Sequence, residues 1–324
     1  MTLFSLLSRS LPAIALAFAA FGVHAQDSYP SRPIKLIVPY TPGASTDSIS
    51  RAFADEAGKA LGQPMIVENK PGAGTAIGTQ TAKQAPADGY TLLYASGAFI
   101  SAMISLKTPG YSLSDFTPVV MLSSGTFVLM TPSALPANNP KEFVTYAKAN
   151  PNKMNYAMLG AGSASHILAD RFQRAAKINW QDIGYKGGIP AVQAVMSNDV
   201  QGYFGTLTFA RTYLQSDKIK LLAITAENRS SFLPDVPTFK EYGIDGVVHE
   251  DWSGLLIRSD TPAPIVEKLR TVFAKVMNSS AMEAFLQNNG ITRYSGGLED
   301  FKTAREKETK EKAEEMKQLG ITAQ

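Results

Sequence analysis

The chain contains no cysteine in 324 residues. That excludes disulfides, thiol nucleophiles, thiolate metal sites and lipid attachment through an N-terminal cysteine. Histidine is nearly as scarce, with three residues (His24, His166 and His249) and no HExxH pattern or His/Asp cluster, so a hydrolytic metal site has little support. A dominant charge is missing too. The formal net charge is +3, and removing a leader whose one basic residue is Arg9 leaves +2. The cations Lys83, Lys186, Lys218 and Lys220 are scattered, which is too weak and too even a field for a nucleic-acid surface. The mixed-sign run over residues 305–317 reads as a solvated helix face. Beyond the N-terminus, no apolar run reaches the length of a membrane span.

What is present begins with an export signal. Arg9 precedes an apolar stretch over residues 11–23, and Val23, His24 and Ala25 form a small-x-small cleavage site before Gln26. Residues 1–25 are therefore expected to be a signal peptide, with the mature chain starting near Gln26 or Asp27. A length of 324 residues, 44% hydrophobic and 18% charged, exceeds one ordinary core and favours two domains with a cleft between them.

Short β-branched runs alternate with helical periodicity along the chain. Residues 34–40 (IKLIVPY), 65–68 and 90–95 (YTLLYA) read as strands, with helices from Ser48 and over 75–84. Residues 116–122 and 127–130 read as two strands separated by Ser123, Ser124 and Gly125, a candidate crossing into a second lobe. There the pattern restarts: helix 140–150, strand 154–159, helix 166–176, strand 183–185, helix 191–197, and strands 200–204 and 221–225. Residues 252–257 read as a strand crossing back, followed by an amphipathic helix over 264–277. This alternation predicts α/β sheets with helices on both faces. Lobe 1 would comprise residues 27–122 plus 250–324, and lobe 2 residues 123–249.

Gly/Ser/Thr-rich loops stand after strands and before helices, the carboxyl-edge positions where open α/β sheets bind ligands. Helix N-termini there favour anions by ~0.3–1 kcal/mol. In YTPGASTD (residues 40–47), Ser45 and Thr46 offer hydroxyls to a ligand and Asp47 can cap the next helix; a plain capped turn is the lesser alternative. PGAGTAIG (71–78) has GxGxxxG spacing rather than the dinucleotide GxGxxG, so it reads as a tight turn supporting the cleft. In GAGSAS (160–165), small residues permit close backbone approach, and Ser163 and Ser165 can donate to a carboxylate. YKGG (185–188) can supply a ring and backbone donors. GAGSAS does not match the GxSxG nucleophile elbow. The pairing of His166 with Ser163 leaves an acid–base reading open, beside the plainer one of a histidine packed on its own helix.

In order along the chain, the segments YPSRPIKLIVPYTPGASTD, LGQPMIVENKPGAGTAIGTQ, ADGYTLLYAS, GAGSASHILADRF, YKGGIPAVQAV, IKLLAITAENRSSFLPDVPTFKEYG and DWSGLLI resemble the tripartite tricarboxylate transporter receptor family, also called Bug proteins, across essentially the whole mature chain. The resemblance implies a type II periplasmic-binding-protein fold, two α/β lobes joined by two crossing strands with a ligand cleft between them. It implies a periplasmic receptor for a small carboxylate, working with the membrane permease subunits of a tripartite transporter, and no cofactor. Carried over by position, it points to Tyr40, Thr41, Gly43, Ala44 and Thr46, with Ser96 and Gly97, in the first lobe. In the second lobe it points to Ala161, Gly162, Ser163 and Ser165, with Tyr185 and Thr206 near the mouth. Ala44 replaces the usual second glycine of PGG, and Gly205 stands where many relatives carry an aspartate, so a plain mono- or dicarboxylate fits better than an amino acid. Tyr40, Tyr185, Phe204 and Phe209 leave room for an aromatic ring or serve the core. A monomeric receptor leads; a ligand-sensing partner of a membrane sensor kinase and a periplasmic enzyme using Ser163 or His166 are the alternatives.

Overall fold

A computed structural model describes residues 29–43 and 45–321. The signal-peptide reading over residues 1–25 and the site position Ala44 lie outside the described residues. The first sheet is built on β1 (Ile34–Val38), which pairs in parallel with β2 (Met65–Asn69) and β3 (Thr91–Ser96). Its side chains alternate between two cores. Ile34, Leu36 and Val38 pack with Ile49 and Phe53 of α1 (Ser45–Leu61). Ile37 meets Ala76 and Ala82 of α2 (Ala76–Gln84) and Phe99 of α3 (Gly97–Ser105). Coverage of both faces explains why the strand is apolar at every position except the exposed Lys35 rather than alternating. Gly78 lets α2 settle on β1, because a Cβ there would meet Pro39 Cβ at 2.7 Å and Lys70 O at 2.9 Å.

The two strands expected on either side of Ser123 to Gly125 are one continuous strand, β4 (Phe116–Pro132). The polar residues do not break it because they are paired on both edges. Ser123 to Thr126 pair antiparallel with residues 250–253 of β9 (Glu250–Arg258), and β10 (Thr292–Arg293) adds to Ser123 and Ser124. Past Phe127 the same strand joins a second sheet. That sheet follows from α4 (Pro140–Ala149), β5 (Asn155–Met158), α5 (Ala164–Ala176), β6 (Gln181–Gly184), α6 (Gly188–Met196), β7 (Gly202–Thr206), α7 (Leu207–Arg211) and β8 (Ile219–Ile224). β5 pairs in parallel with β6 and β7, while β7 and β8 run antiparallel to β4. After β9, the chain completes the first lobe with α8 (Ala263–Met277), α9 (Ser280–Asn289), β10 and α10 (Leu298–Gln318). The fold is therefore two α/β lobes bridged by β4 and β9. No helix among the described residues is long and apolar enough to cross a membrane.

The second lobe is held by an aromatic cluster. Phe172 is fully buried, with the rings of Phe239 at 5.2 Å, Trp180 at 5.6 Å, Phe143 at 5.7 Å and Phe204 at 6.2 Å. Removing that ring leaves a cavity walled by rings too large to collapse into it. Phe172→Ala is expected to destabilise the protein by ~3–5 kcal/mol, read as a lower urea midpoint; a loss below ~1 kcal/mol would show that this cluster does not organise the lobe.

Candidate functional site

A cavity of about 870 Å³ lies between the lobes, with β4 and β9 running along it. On the first-lobe side the chain leaving β1 turns at Gly43, whose φ of +85° is left-handed. Asp47 holds that turn. Its carboxylate accepts from Arg51 Nε at 2.9 Å, Gly43 N at 3.0 Å and Asn69 Nδ2 at 2.9 Å. The Arg51 guanidinium, helped by these donors, holds the Asp47 carboxyl down at about 2. Asn69 also donates to Tyr40 O at 3.1 Å. The acid is thus consumed by scaffolding, but not as the helix cap expected of it: α1 begins at Ser45, so Asp47 lies in its first turn and reaches back to Gly43. Next to it, Thr46 lines the cavity, and its buried Oγ1 has no hydrogen-bond partner among the described residues.

The sequence-predicted residues divide by what their polar atoms already do. Tyr40, Thr46, Ser96, Gly97, Ala161, Gly162, Ser163 and Thr206 share the cavity wall. Tyr40 OH and Ser96 Oγ are bonded at 2.7 Å, and Ser96 caps α3 by accepting from Ala98 N. The Gly97 N–H donates to Asp251 Oδ1 at 3.1 Å and the Gly162 N–H to His166 Nδ1 at 3.1 Å. Ser163 and Thr206 cap α5 and α7. Thr41, Gly43, Ser165 and Tyr185 do not line the cavity. Thr41 and Gly43 are exposed on the turn. Ser165 is buried beneath the loop, accepting from Leu159 N at 3.0 Å, and Tyr185 packs on the apolar core between α6 and β4. Of the four aromatic candidates only Tyr40 faces the cavity. Phe204 is core, and Phe209 packs against the neighbouring core with its ring 5.3 Å from that of Tyr213.

The solvated helix face expected over residues 305–317 is corrected by α10. Arg305 is 5% and Lys312 7% exposed, and both line the cavity. The helix bonds to the bridge and to both lobes. Glu308 Oε2 accepts from Trp252 Nε1 at 2.7 Å, and Lys312 Nζ donates to Gly97 O at 3.2 Å and Glu308 Oε1 at 2.8 Å. In the second lobe Arg171 Nε donates to Glu315 Oε1 at 2.6 Å, and Arg174 Nη1 to Gln318 Oε1 at 2.6 Å. Gly162 completes the seam, since a Cβ there would meet Met316 Cε at 2.7 Å. Charge density hid this contact from sequence reasoning; the apolar residues Phe301 and Met316, both 1% exposed, are its signal in and beside the run.

The two-lobed fold is shared with known proteins. The model of the tripartite tricarboxylate transporter family receptors matches residues 49–321. The chain belongs to this family. It is 33% identical to the protein BugT of Bordetella pertussis over 286 residues, 86% of this chain and 88% of that one. The solved structure of the periplasmic binding protein BugD is 30% identical, with a TM-score of 0.77 over 91% of this chain and 100% of that one. R. palustris Rpa4515, solved with adipate, is 26% identical with a TM-score of 0.80, again over 91% and 100%. A tripartite tricarboxylate transporter receptor is a periplasmic solute-binding protein, not an enzyme.

Two half-buried groups at the cavity of this receptor titrate abnormally. His249 stands against the Phe127 ring at 5.8 Å, and its backbone is bonded to Thr225 on both sides. Burial, reinforced by the positive charges of Lys312 and Arg171, pushes its imidazole down to about 3. Burial pushes the Asp251 carboxyl up, against the pull of Lys312. An unfolded histidine titrates near ~6.5. Between that value and about 3, the unfolded chain holds a proton that the folded one does not. The contribution of His249 is therefore complete above pH ~6.5 and is lost on acidification, with a limiting slope of ~1.4 kcal/mol per pH unit. Asp251 acts with the opposite sign, its raised carboxyl taking up a proton in the folded state before the unfolded one does. Urea midpoints of wild type and His249→Phe from pH 7 to 4 are expected to show the wild-type curve falling more steeply; parallel curves would remove His249 from the acid response.

Proposed function

We propose that this receptor captures a small mono- or dicarboxylate in the cleft and delivers it to the membrane subunits of a tripartite tricarboxylate transporter. The observation that carries this reading is the Thr46 hydroxyl, buried at the cavity wall with its donor unspent. A buried unpaired hydroxyl costs ~1–3 kcal/mol, a cost a carboxylate oxygen offsets by accepting from it. The cavity volume of about 870 Å³ lies within the range usual for small-molecule sites. The adipate in the R. palustris relative supports the same ligand class. The enzyme alternative loses its base, because His166 Nδ1 accepts from Gly162 N while Ser163 Oγ is bonded at 3.0 Å to Ser165 Oγ.

In this reading residues 1–25 direct the chain to the periplasm and are removed. Lobe 1 comprises residues 27–122 and 250–324 and lobe 2 residues 123–249, a division supported by the change of sheet after Thr126. Tyr40, Thr46, Ser96 and Gly97 face Ala161, Gly162, Ser163 and Thr206 across the cleft. A ligand touching both walls binds the closed arrangement better and shifts the population toward it.

The test is a thermal-shift screen of the ligand-stripped mature protein against mono-, di- and tricarboxylates, aromatic and aliphatic, each with its matching amide. Ligand at ~100 times its Kd adds ~2.7 kcal/mol of stability, so a carboxylate that raises Tm while its amide does not is the expected outcome. Silence across the panel would sink the reading. Thr46→Val is expected to weaken the best carboxylate about tenfold, the scale of a hydrogen bond to a charged group, while leaving Tm of the ligand-free protein unchanged or higher. A lowered Tm with unchanged affinity would make Thr46 a structural residue.

A further inference from the structure

Arg305 is the one cation of the α10 wall for which no counter-ion is found among the described residues. It lines the cavity at 5% exposure, and neither Nε nor Nη1 has a hydrogen-bond partner. Its ring contact is with Phe301, one turn earlier on the same helix, whose centroid lies 5.2 Å from Arg305 Cζ. The other cations of this wall are paired: Lys312 with Glu308 at 2.8 Å, Lys307 with Glu311 at 3.6 Å, and Arg171 with Glu315 at 2.6 Å. The nearby acids are committed or distant. Asp251 is held by Gly97 N and Trp252 N, and Glu308 by Trp252 and Lys312, leaving Glu306 and Glu308 only a through-space attraction for Arg305.

A buried guanidinium without a partner is costly, and its burial is tolerable when an anion completes it. The planar fork suits a carboxylate, which can accept two parallel N–H bonds from it. We propose that Arg305 pairs with the distal carboxylate of an aliphatic diacid whose first carboxylate sits at Thr46, in the first turn of α1. This makes Arg305 the residue that separates diacids from monoacids. The assignment rests on the carboxylate-receptor reading above and adds an unpaired charge to a wall whose other cations, Arg171, Lys307 and Lys312, are already ion-paired.

The decisive comparison is calorimetric titration of ligand-stripped wild type, Arg305→Gln and Arg305→Lys. The probes are the linear diacids from malonate to suberate and the monoacids of matching chain length. Wild type is expected to bind one diacid at least about tenfold more tightly than its monoacid, as a charge-assisted pair implies. Arg305→Gln should erase that preference while holding the monoacid affinity within about twofold, and Arg305→Lys should restore part of it. Tm of ligand-free Arg305→Gln should equal or exceed wild type, because an unpaired buried charge has been removed. A preference surviving in Arg305→Gln, an equal loss for diacid and monoacid with a lower Tm, or a wild type that takes monoacids but no diacid would each overturn the assignment of Arg305 alone. A wild type that binds neither class would overturn the carboxylate reading with it.

Discussion

The antiparallel pairing of β4 with β9 is the constraint from which the rest of the architecture follows. From Phe116 to Thr126 the first strand is bonded along the second, and from Phe127 onward it turns its edges to β7 and β8. One strand thereby serves two sheets, and the lobes cannot drift apart without breaking a ladder of backbone hydrogen bonds. The same pairing sets the position of the cleft. Parallel strands on each side of it end in loops that open helices, and the bridge brings these carboxyl edges together around one cavity. Ser123 and Ser253, bonded at 2.7 Å across the pair, place hydroxyls where apolar side chains would otherwise meet along the cavity.

Within that cavity the polar groups fall into two populations. Most are spent on holding the walls: Ser96, Ser163 and Thr206 cap helices, Gly97 and Gly162 donate to side chains, and Asp47 ties a turn to its neighbours. A rigid wall needs these bonds, since a loop left to water would lose its shape when the cavity dries. The few groups left unspent, the Thr46 hydroxyl and the Arg305 guanidinium, are then conspicuous, because buried polar atoms are nearly always paired. Thr46 stands in the first turn of α1 and Arg305 on α10, so a neutral and a charged donor lie on two separate helices of the wall.

α10 adds a third connection between the lobes, made of side chains instead of backbone. Its ion pair with Arg171 and its contacts around Gly97 and Trp252 cross the cleft region, so the helix must adjust if the lobes move. Side-chain bonds exchange with water far more easily than a strand ladder, and such a contact permits a hinge where a third crossing strand would prevent it.

The sequence by itself determined the class of fold and the position of the loops. The alternation of β-branched runs with helical periodicity is local, and residues 34–40, 65–68 and 90–95 carry it without help from the rest of the chain. It also determined that YTPGASTD and GAGSAS stand between strand and helix, and the observed elements bear this out. Tertiary structure decided which atoms of those loops remain free. The Gly97 N–H is taken by Asp251, 154 residues away, and Tyr185 is drawn onto the core beside α6. Gly162 and Ser165 find nearer partners in His166 and Leu159, in a loop that α10 approaches so closely that a Cβ at Gly162 would meet Met316. Tertiary pairing also decided that Ser123 to Gly125 continue a strand, because bonding to β9 along all three, and to β10 at Ser123 and Ser124, overrides a weak local propensity. The burial of Arg305 and Lys312 was settled the same way. A charged run looks solvated until another surface covers it, and α10 meets that surface at Trp252 and Gly97, 56 and 215 positions from their partners on the helix.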